Sequence, residues 1–201
     1  MFDAYGRLFP SQGRRSNVTI VQPSLLPKLG RLFVMQLLVV RHGIAVERDE
    51  WAKEHSDDTE RPLTTEGKKK MKECAKGLRS IVPKVDVLAT SPLTRAMQTA
   101  AILAKIYEKG DAVHVEALSP GQHPPAFATW LRTQGIQKTV AIVGHEPGLG
   151  ATASWFTAAT ERSFLDLGKG GACLLDLGER IEAGEGMLLW VLRPSHLRAL
   201  A

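Results

Sequence analysis

Leu37-Leu38-Val39-Val40-Arg41-His42-Gly43 is the stretch on which the fold turns. Its apolar run ends in two β-branched residues and suits a strand covered on both faces, as inside a parallel sheet flanked by helices. The run stops at a guanidinium, an imidazole and a glycine. A fixed cation and a titratable ring therefore stand where the strand ends.

The same rhythm recurs downstream. After a polar stretch ending at Pro62, Thr64 is a good N-cap for a helix, with Glu66 well placed for the helix dipole. Met71, Cys74, Ala75, Leu78 and Ile81 follow at helical spacing, and Lys68, Lys69, Lys72, Lys76 and Arg79 read as the solvated opposite face. A second strand is predicted over 85–89, with Ser91 and Pro92 as N-cap and first turn of a helix to about Tyr107. A third strand over 113–117, a helix over 124–134 and a buried strand over 139–143 come next, and Pro147 opens a helix through about Phe156. Strands over 171–177 and 187–192, joined by a Gly-rich segment, read as a hairpin at one side of the sheet. The expected fold is α/β: three layers, α/β/α, with a mostly parallel central sheet and a late antiparallel edge hairpin.

Composition narrows the setting. The 201 residues suit one domain, with 44% hydrophobic and 23% charged residues. Residues 1–34 mix Gly, Pro, Ser and basic residues without periodicity and read as a flexible extension before a domain spanning 35–201. A net charge of +5 admits nucleic acid, a membrane surface or a phosphorylated substrate as partner. With 6% aromatic residues and no recognised nucleic-acid motif, nucleic acid is not an expected partner. No apolar run approaches the ~20 residues that span a bilayer. Arg14, Arg15, Lys28 and Arg31 interrupt anything like a signal peptide, so a cytoplasmic protein without a membrane partner is expected. Cys74 and Cys173 sit among apolar neighbours and read as buried free thiols.

Ligands of open α/β sheets bind beyond the carboxyl ends of the strands. Arg41-His42-Gly43 follows the first strand, Ser91-Pro92 and then Arg95 the second, and Gly144-His145-Glu146-Pro147 the 139–143 strand. Each residue alone reads as a structural or surface group. Their placement at three strand ends points to an anion site. Guanidinium forks match phosphate oxygens, and a neutral histidine attacks phosphorus when its other nitrogen is held by a hydrogen bond. Two arginines and two histidines, with no acidic metal-binding cluster, suit in-line phosphoryl transfer without a metal or other cofactor.

These segments resemble the histidine phosphatase superfamily, the phosphoglycerate-mutase-like fold. Val40-Arg41-His42-Gly43 is similar to its signature, and Arg61-Pro62-Leu63-Thr64-Thr65-Glu66-Gly67 to its arginine-to-glycine segment. Ser91-Pro92-Leu93-Thr94-Arg95-Ala96-Met97-Gln98-Thr99-Ala100 resembles the second-strand motif, and Val143-Gly144-His145-Glu146-Pro147 the second-histidine motif. Leu118-Ser119-Pro120-Gly121, and Phe164 with Lys169-Gly170-Gly171, resemble further segments, so the likeness runs in order over residues 36 to about 193. The compact length and the Arg-Pro-Leu-Thr form resemble the small bacterial phosphohistidine phosphatase subgroup. The resemblance implies that His42 forms the phosphohistidine intermediate, that Arg41, Arg61 and Arg95 hold the phosphoryl oxygens, and that His145 stabilises the transferring group. Arg61 enters through the resemblance alone. Ser91 and Gly43 are expected to shape the pocket.

Larger members of the superfamily place a carboxylate after the third strand, where it protonates the leaving group. Here that region reads Leu118-Ser119-Pro120-Gly121-Gln122-His123, and the proton donor stays unassigned among Glu116, Asp57, Asp58, Glu47 and His123, of which Asp57, Asp58 and Glu47 read as exposed loop charges. Cleavage of a P–N bond needs less acid help than cleavage of an alkyl ester. The expected substrate is therefore phosphohistidine in a protein, such as a phosphocarrier or phosphorelay domain. A small phosphate ester is the alternative, and a phosphate-binding module without turnover stands behind both.

Overall fold

The computed structural model of the chain describes residues 35–135, 139–178 and 180–201. The segment 1–34, expected to be an extension, lies outside the described residues. Strands β1 (Gln36–Arg41), β2 (Val87–Thr90), β3 (Val113–His114), β4 (Thr139–Gly144), β5 (Ala172–Asp176) and β6 (Met187–Leu192) form one sheet in the order β3-β2-β4-β1-β5-β6. The pairs β3/β2, β2/β4 and β4/β1 are parallel, whereas β1/β5 and β5/β6 are antiparallel. The expected mostly parallel sheet with a late antiparallel edge hairpin is thus present.

The opening run takes the centre of this sheet because it can be buried on both sides. Leu37, Leu38, Val39 and Val40 are each 0% exposed, and each such side chain contributes about 1.5–3 kcal/mol by leaving water. Leu37 and Val39 pack on Phe127, Leu131, Leu149 and Phe156 of helices α4 (Pro124–Arg132) and α5 (Gly148–Ala158). Leu38 and Val40 pack on the other face. Their neighbours there come from α2 (Thr65–Ile81), α3 (Thr94–Tyr107) and the short terminal α6 (Pro194–Ala199), which contributes Leu197. A one-turn helix α1 (Arg48–Trp51) and 3-10 turns at Asp58–Glu60 and Glu116–Leu118 complete the described elements. Cys173 and Cys74 are free and buried, on opposite sides of the sheet. Among the described residues no helix is long and apolar enough to cross a membrane.

Thr64 caps α2 as its sequence predicts: its hydroxyl accepts from the Gly67 N–H at 2.8 Å. Two expectations need correction. Helix α3 begins at Thr94 rather than around Pro92, because the Ser91 hydroxyl is turned toward His145 and only weakly meets the Leu93 N–H at 3.3 Å. The third strand is two residues long, and Glu116 lies in a 3-10 turn instead of the strand. Val113 and His114 are exposed at the sheet edge and pair only with Ala89 and Thr90, so little holds the chain extended beyond them.

Candidate active site

The carboxyl ends of β1, β2 and β4 lie side by side, and the backbone ties them together. The His42 N–H donates to the Gly144 carbonyl at 3.1 Å, and the Ser91 N–H to the Val143 carbonyl at 2.9 Å. The Gly43 N–H donates to Thr99 Oγ1 of α3 at 3.0 Å. On the other side, Gly170 adopts φ +83°, a left-handed conformation that favours glycine. From there its N–H reaches the His42 carbonyl at 3.0 Å.

These ties bring His42 and His145 together, with ring centroids 5.1 Å apart and both side chains buried. His42 Nδ1 lies 2.7 Å from the Gly43 carbonyl oxygen. A carbonyl only accepts, so Nδ1 carries the proton and Nε2 keeps its lone pair. Burial pushes the His42 pKa down; the Gly43 hydrogen bond works against this, and the charges of Arg95, Arg41 and Arg61 add to it, leaving it at about 4. Burial likewise lowers His145, helped by His42 and Arg95, to about 3. Both rings are therefore neutral at physiological pH.

His145 Nε2 sits 2.9 Å from the Ser91 hydroxyl oxygen. With the Ser91 hydroxyl donating to Nε2, the imidazole proton sits on Nδ1. His145 Nδ1 is buried without a hydrogen-bond partner among the described residues, as are Arg41 Nε and Arg95 Nε. Buried polar groups are nearly always paired. Three orphaned donors of one kind, on residues gathered at one place, match an anion with several acceptor oxygens.

The arginines are fixed by the protein around them. Arg41 donates to the Leu167 carbonyl and lies 3.4 Å from Asp166 Oδ1. Loop 163–167 is in turn pinned by Glu146, whose carboxylate accepts from the Leu167 N–H at 2.9 Å and the Gly150 N–H at 3.0 Å. Arg61 donates through Nε to Asp58 Oδ1 at 2.7 Å and through Nη1 to the Val46 carbonyl at 2.6 Å. Arg95 donates to the Asp58 carbonyl at 2.9 Å and pairs with Asp58 Oδ2 at 3.2 Å. Arg61 and Arg95 are both buried, so little water screens their charge.

Sequence reasoning placed Asp58 among exposed loop charges, and it is instead the hub of this cluster. Asp57 caps the turn by accepting from the Thr59 N–H at 2.8 Å, which delivers the next carboxylate between two guanidinium groups. Burial raises the Asp58 carboxyl; the Arg61 hydrogen bond and the Arg95, Arg61 and Arg48 charges outweigh it and hold the group below the usual carboxylate range. A carboxylate so held is a poor proton donor. Of the other candidates, Asp57 and Glu116 are exposed, Glu47 is paired with Lys169 at 3.2 Å, and His123 is paired with Glu161 at 2.9 Å.

The sequence profile of the histidine phosphatase superfamily (branch 1) matches residues 37–118. An uncharacterized protein of Picosynechococcus sp. is 37% identical over 153 residues, covering 74% of this chain and 90% of that protein. The solved structure of the protein histidine phosphatase SixA complexed with tungstate superposes with a TM-score of 0.70 at 22% identity, covering 81% of this chain and 99% of that one. A phosphoserine phosphatase from Entamoeba histolytica, in complex with phosphoserine, superposes with a TM-score of 0.58 at 18% identity, covering 81% of this chain and 99% of that one.

Proposed function

Since the chain belongs to the histidine phosphatase superfamily, we propose that it is a metal-independent phosphatase that passes a phosphoryl group through His42 and takes it from phosphohistidine in a protein. The observation that carries this reading is the pairing of a bare, neutral Nε2 on His42 with the three orphaned donors on Arg41, Arg95 and His145.

In the first step Nε2 attacks phosphorus. The new P–Nε2 bond forms as the P–N bond to the substrate imidazole breaks, and the departing imidazole leaves with a proton it already carries. His42 then bears a positive charge on the ring, offset by the phosphoryl oxygens. Arg41, Arg61 and Arg95 stabilise those oxygens, and His145 donates to one of them from Nδ1. In the second step water attacks phosphorus, the P–Nε2 bond breaks, and neutral His42, inorganic phosphate and a proton are released. The Gly43 carbonyl holds the Nδ1 proton throughout and keeps the same nitrogen facing the substrate.

The phosphohistidine assignment is supported by the carboxylates. Asp58 is held ionised by arginines, and the other candidate acids are exposed or already paired. A P–N bond to a protonated imidazole breaks without help from such an acid.

The test compares turnover of a carrier protein phosphorylated on histidine with turnover of p-nitrophenyl phosphate, using His42→Ala as control. Faster turnover of the phosphoprotein, lost in the variant, is expected. Preference for the ester would replace the assignment with a small-molecule phosphomonoesterase. Binding of phosphate without turnover of either would leave a binding module.

A further inference from the structure

Beyond the active site, the exposed lysine-rich face of α2 borders a groove. Lys68, Lys69 and Lys72 stand along one rim of a groove of about 440 Å³ between α2 and α3, and Lys105 stands on the other rim. Among the described residues none of these four is in a salt bridge. The floor is apolar, built by Ala101, Ile102 and Ile106. On α3 the lining positions 98, 101, 102, 105 and 106 follow the spacing of one helical stripe.

The near end of the groove lies one turn of α3 beyond Arg95. Gln98 lines its near end and accepts through Oε1 from the Leu63 N–H at 2.8 Å, two residues after Arg61. The next residue, Thr99, accepts from the Gly43 N–H beside His42. From Gln98 to Ile106 is eight residues, or about 12 Å at 1.5 Å per helical residue. That length accommodates about two turns of a docked helix, or a comparable extended segment.

We infer that this groove docks an acidic, amphipathic segment of the phosphoprotein substrate, with its apolar side on Ile102 and Ile106 and its carboxylates against the four lysines. The inference rests on the phosphohistidine-protein reading proposed above. Charge complementarity selects the occupant: a four-cation rim over an apolar floor fits a chain that carries both carboxylates and aliphatic side chains. A free metabolite would not use a surface outside the arginine cluster. Nucleic acid would favour aromatic platforms, which the lining lacks. A bilayer would meet a convex face better than a groove.

The test uses the full chain and the variant Lys68→Glu/Lys72→Glu/Lys105→Glu, which changes only exposed side chains. For an acidic carrier domain phosphorylated on histidine by phosphoramidate, kcat/KM is expected to fall about tenfold or more, with the salt dependence flattened. For free phosphohistidine, kcat/KM should not change. Equal rates for variant and parent on the phosphoprotein would overturn the docking inference while leaving the phosphatase reading intact. No turnover of either substrate by the parent would overturn the phosphatase reading instead.

Fluorescence anisotropy tests the groove independently of catalysis. A labelled 14-residue peptide with leucines at helical spacing and glutamates between them should bind the parent, and should lose that binding in the variant and in high salt. Equal binding to parent and variant, or binding of anionic phosphatidylglycerol vesicles in its place, would overturn the inference.

Discussion

Lowering the pH of the free protein from about 8 to about 5 should leave His42 almost wholly neutral. An exposed histidine titrates near 6.5, so at about pH 5 only about 3% of it is neutral. With its pKa pushed down to about 4, His42 should be about 90% neutral at that pH, a ratio of about thirtyfold in competent nucleophile. In energy, placing a proton on His42 in the folded protein costs about 3 kcal/mol more than on an exposed ring, at about 1.4 kcal/mol per pH unit. Loss of hydration on burial is the largest cause of that cost, and the arginine charges add to it against the hydrogen bond to Gly43.

The assay is proton NMR of the histidine Cε1–H resonances in the free protein, with His42→Asn to assign the signal. A direct titration avoids the second ionisation of phosphate, which falls in the same range and would distort a rate profile. The midpoint should lie near 4, and saturating tungstate should raise it because the bound dianion offsets the arginines. A midpoint at or above 6.5 in the free protein would refute the account of His42 as a buried ring among arginines. Stability must follow the same linkage. The unfolded chain binds more protons than the folded one between about pH 6.5 and 4, so this contribution is whole above about 6.5 and is lost as pH falls toward 4.

Other perturbations test separate parts of the site. Asp58→Asn should lower kcat by about tenfold or more, because the Arg61 and Arg95 forks lose their shared anchor, with a smaller change in KM. Its stability loss should be about 1 kcal/mol, since the carboxylate is partly exposed, and phosphate should restore part of the Tm. Ser91→Ala should free His145 to place its proton on either nitrogen, lowering kcat by about tenfold and changing the imidazole ¹⁵N shifts. Gly67→Ala would gain about 1 kcal/mol from helix propensity in an open site. Here the added Cβ would collide with the Ile44 carbonyl oxygen, so a net loss of about 1–3 kcal/mol is expected by thermal unfolding. Across a series of aryl phosphates, kcat/KM should fall steeply as leaving-group pKa rises; a flat series would reveal an acid within the site.

What the sequence made legible follows from how local each signal is. The β1 and β4 runs and the Thr64 cap depend on neighbouring residues, and their elements formed as read. The gathering of Arg41, His42, Arg95 and His145 needed only the order of strands and helices. Arg61 carried no local mark and entered through the family segment. Asp58 was misread because Asp57-Asp58-Thr59-Glu60 has the composition of any polar loop, and its meaning comes from Arg95, 37 positions away. The lysine face of α2 is solvated as read, but periodicity could not show that α3 lies alongside it and shares a groove. Helix α6 is too short to display a period, yet its Leu197 packs against the Gly77 side of α2, where a Cβ would meet the Leu197 carbonyl.

The position of Asp58 also bears on which bond the site is built to break. A carboxylic acid must be protonated to donate, and protonation becomes easier when the group is buried without cations or set beside another carboxylate. Asp58 has the opposite setting: three arginine charges favour its ionised form. The same carboxylate that anchors Arg61 and Arg95 is thereby a poor acid for a leaving group. One loop residue cannot serve both ends of the reaction at physiological pH. On the phosphohistidine reading proposed above, a site that uses the Asp58 carboxylate to position cations favours donors whose leaving group brings its own proton, and a protonated imidazole is such a group.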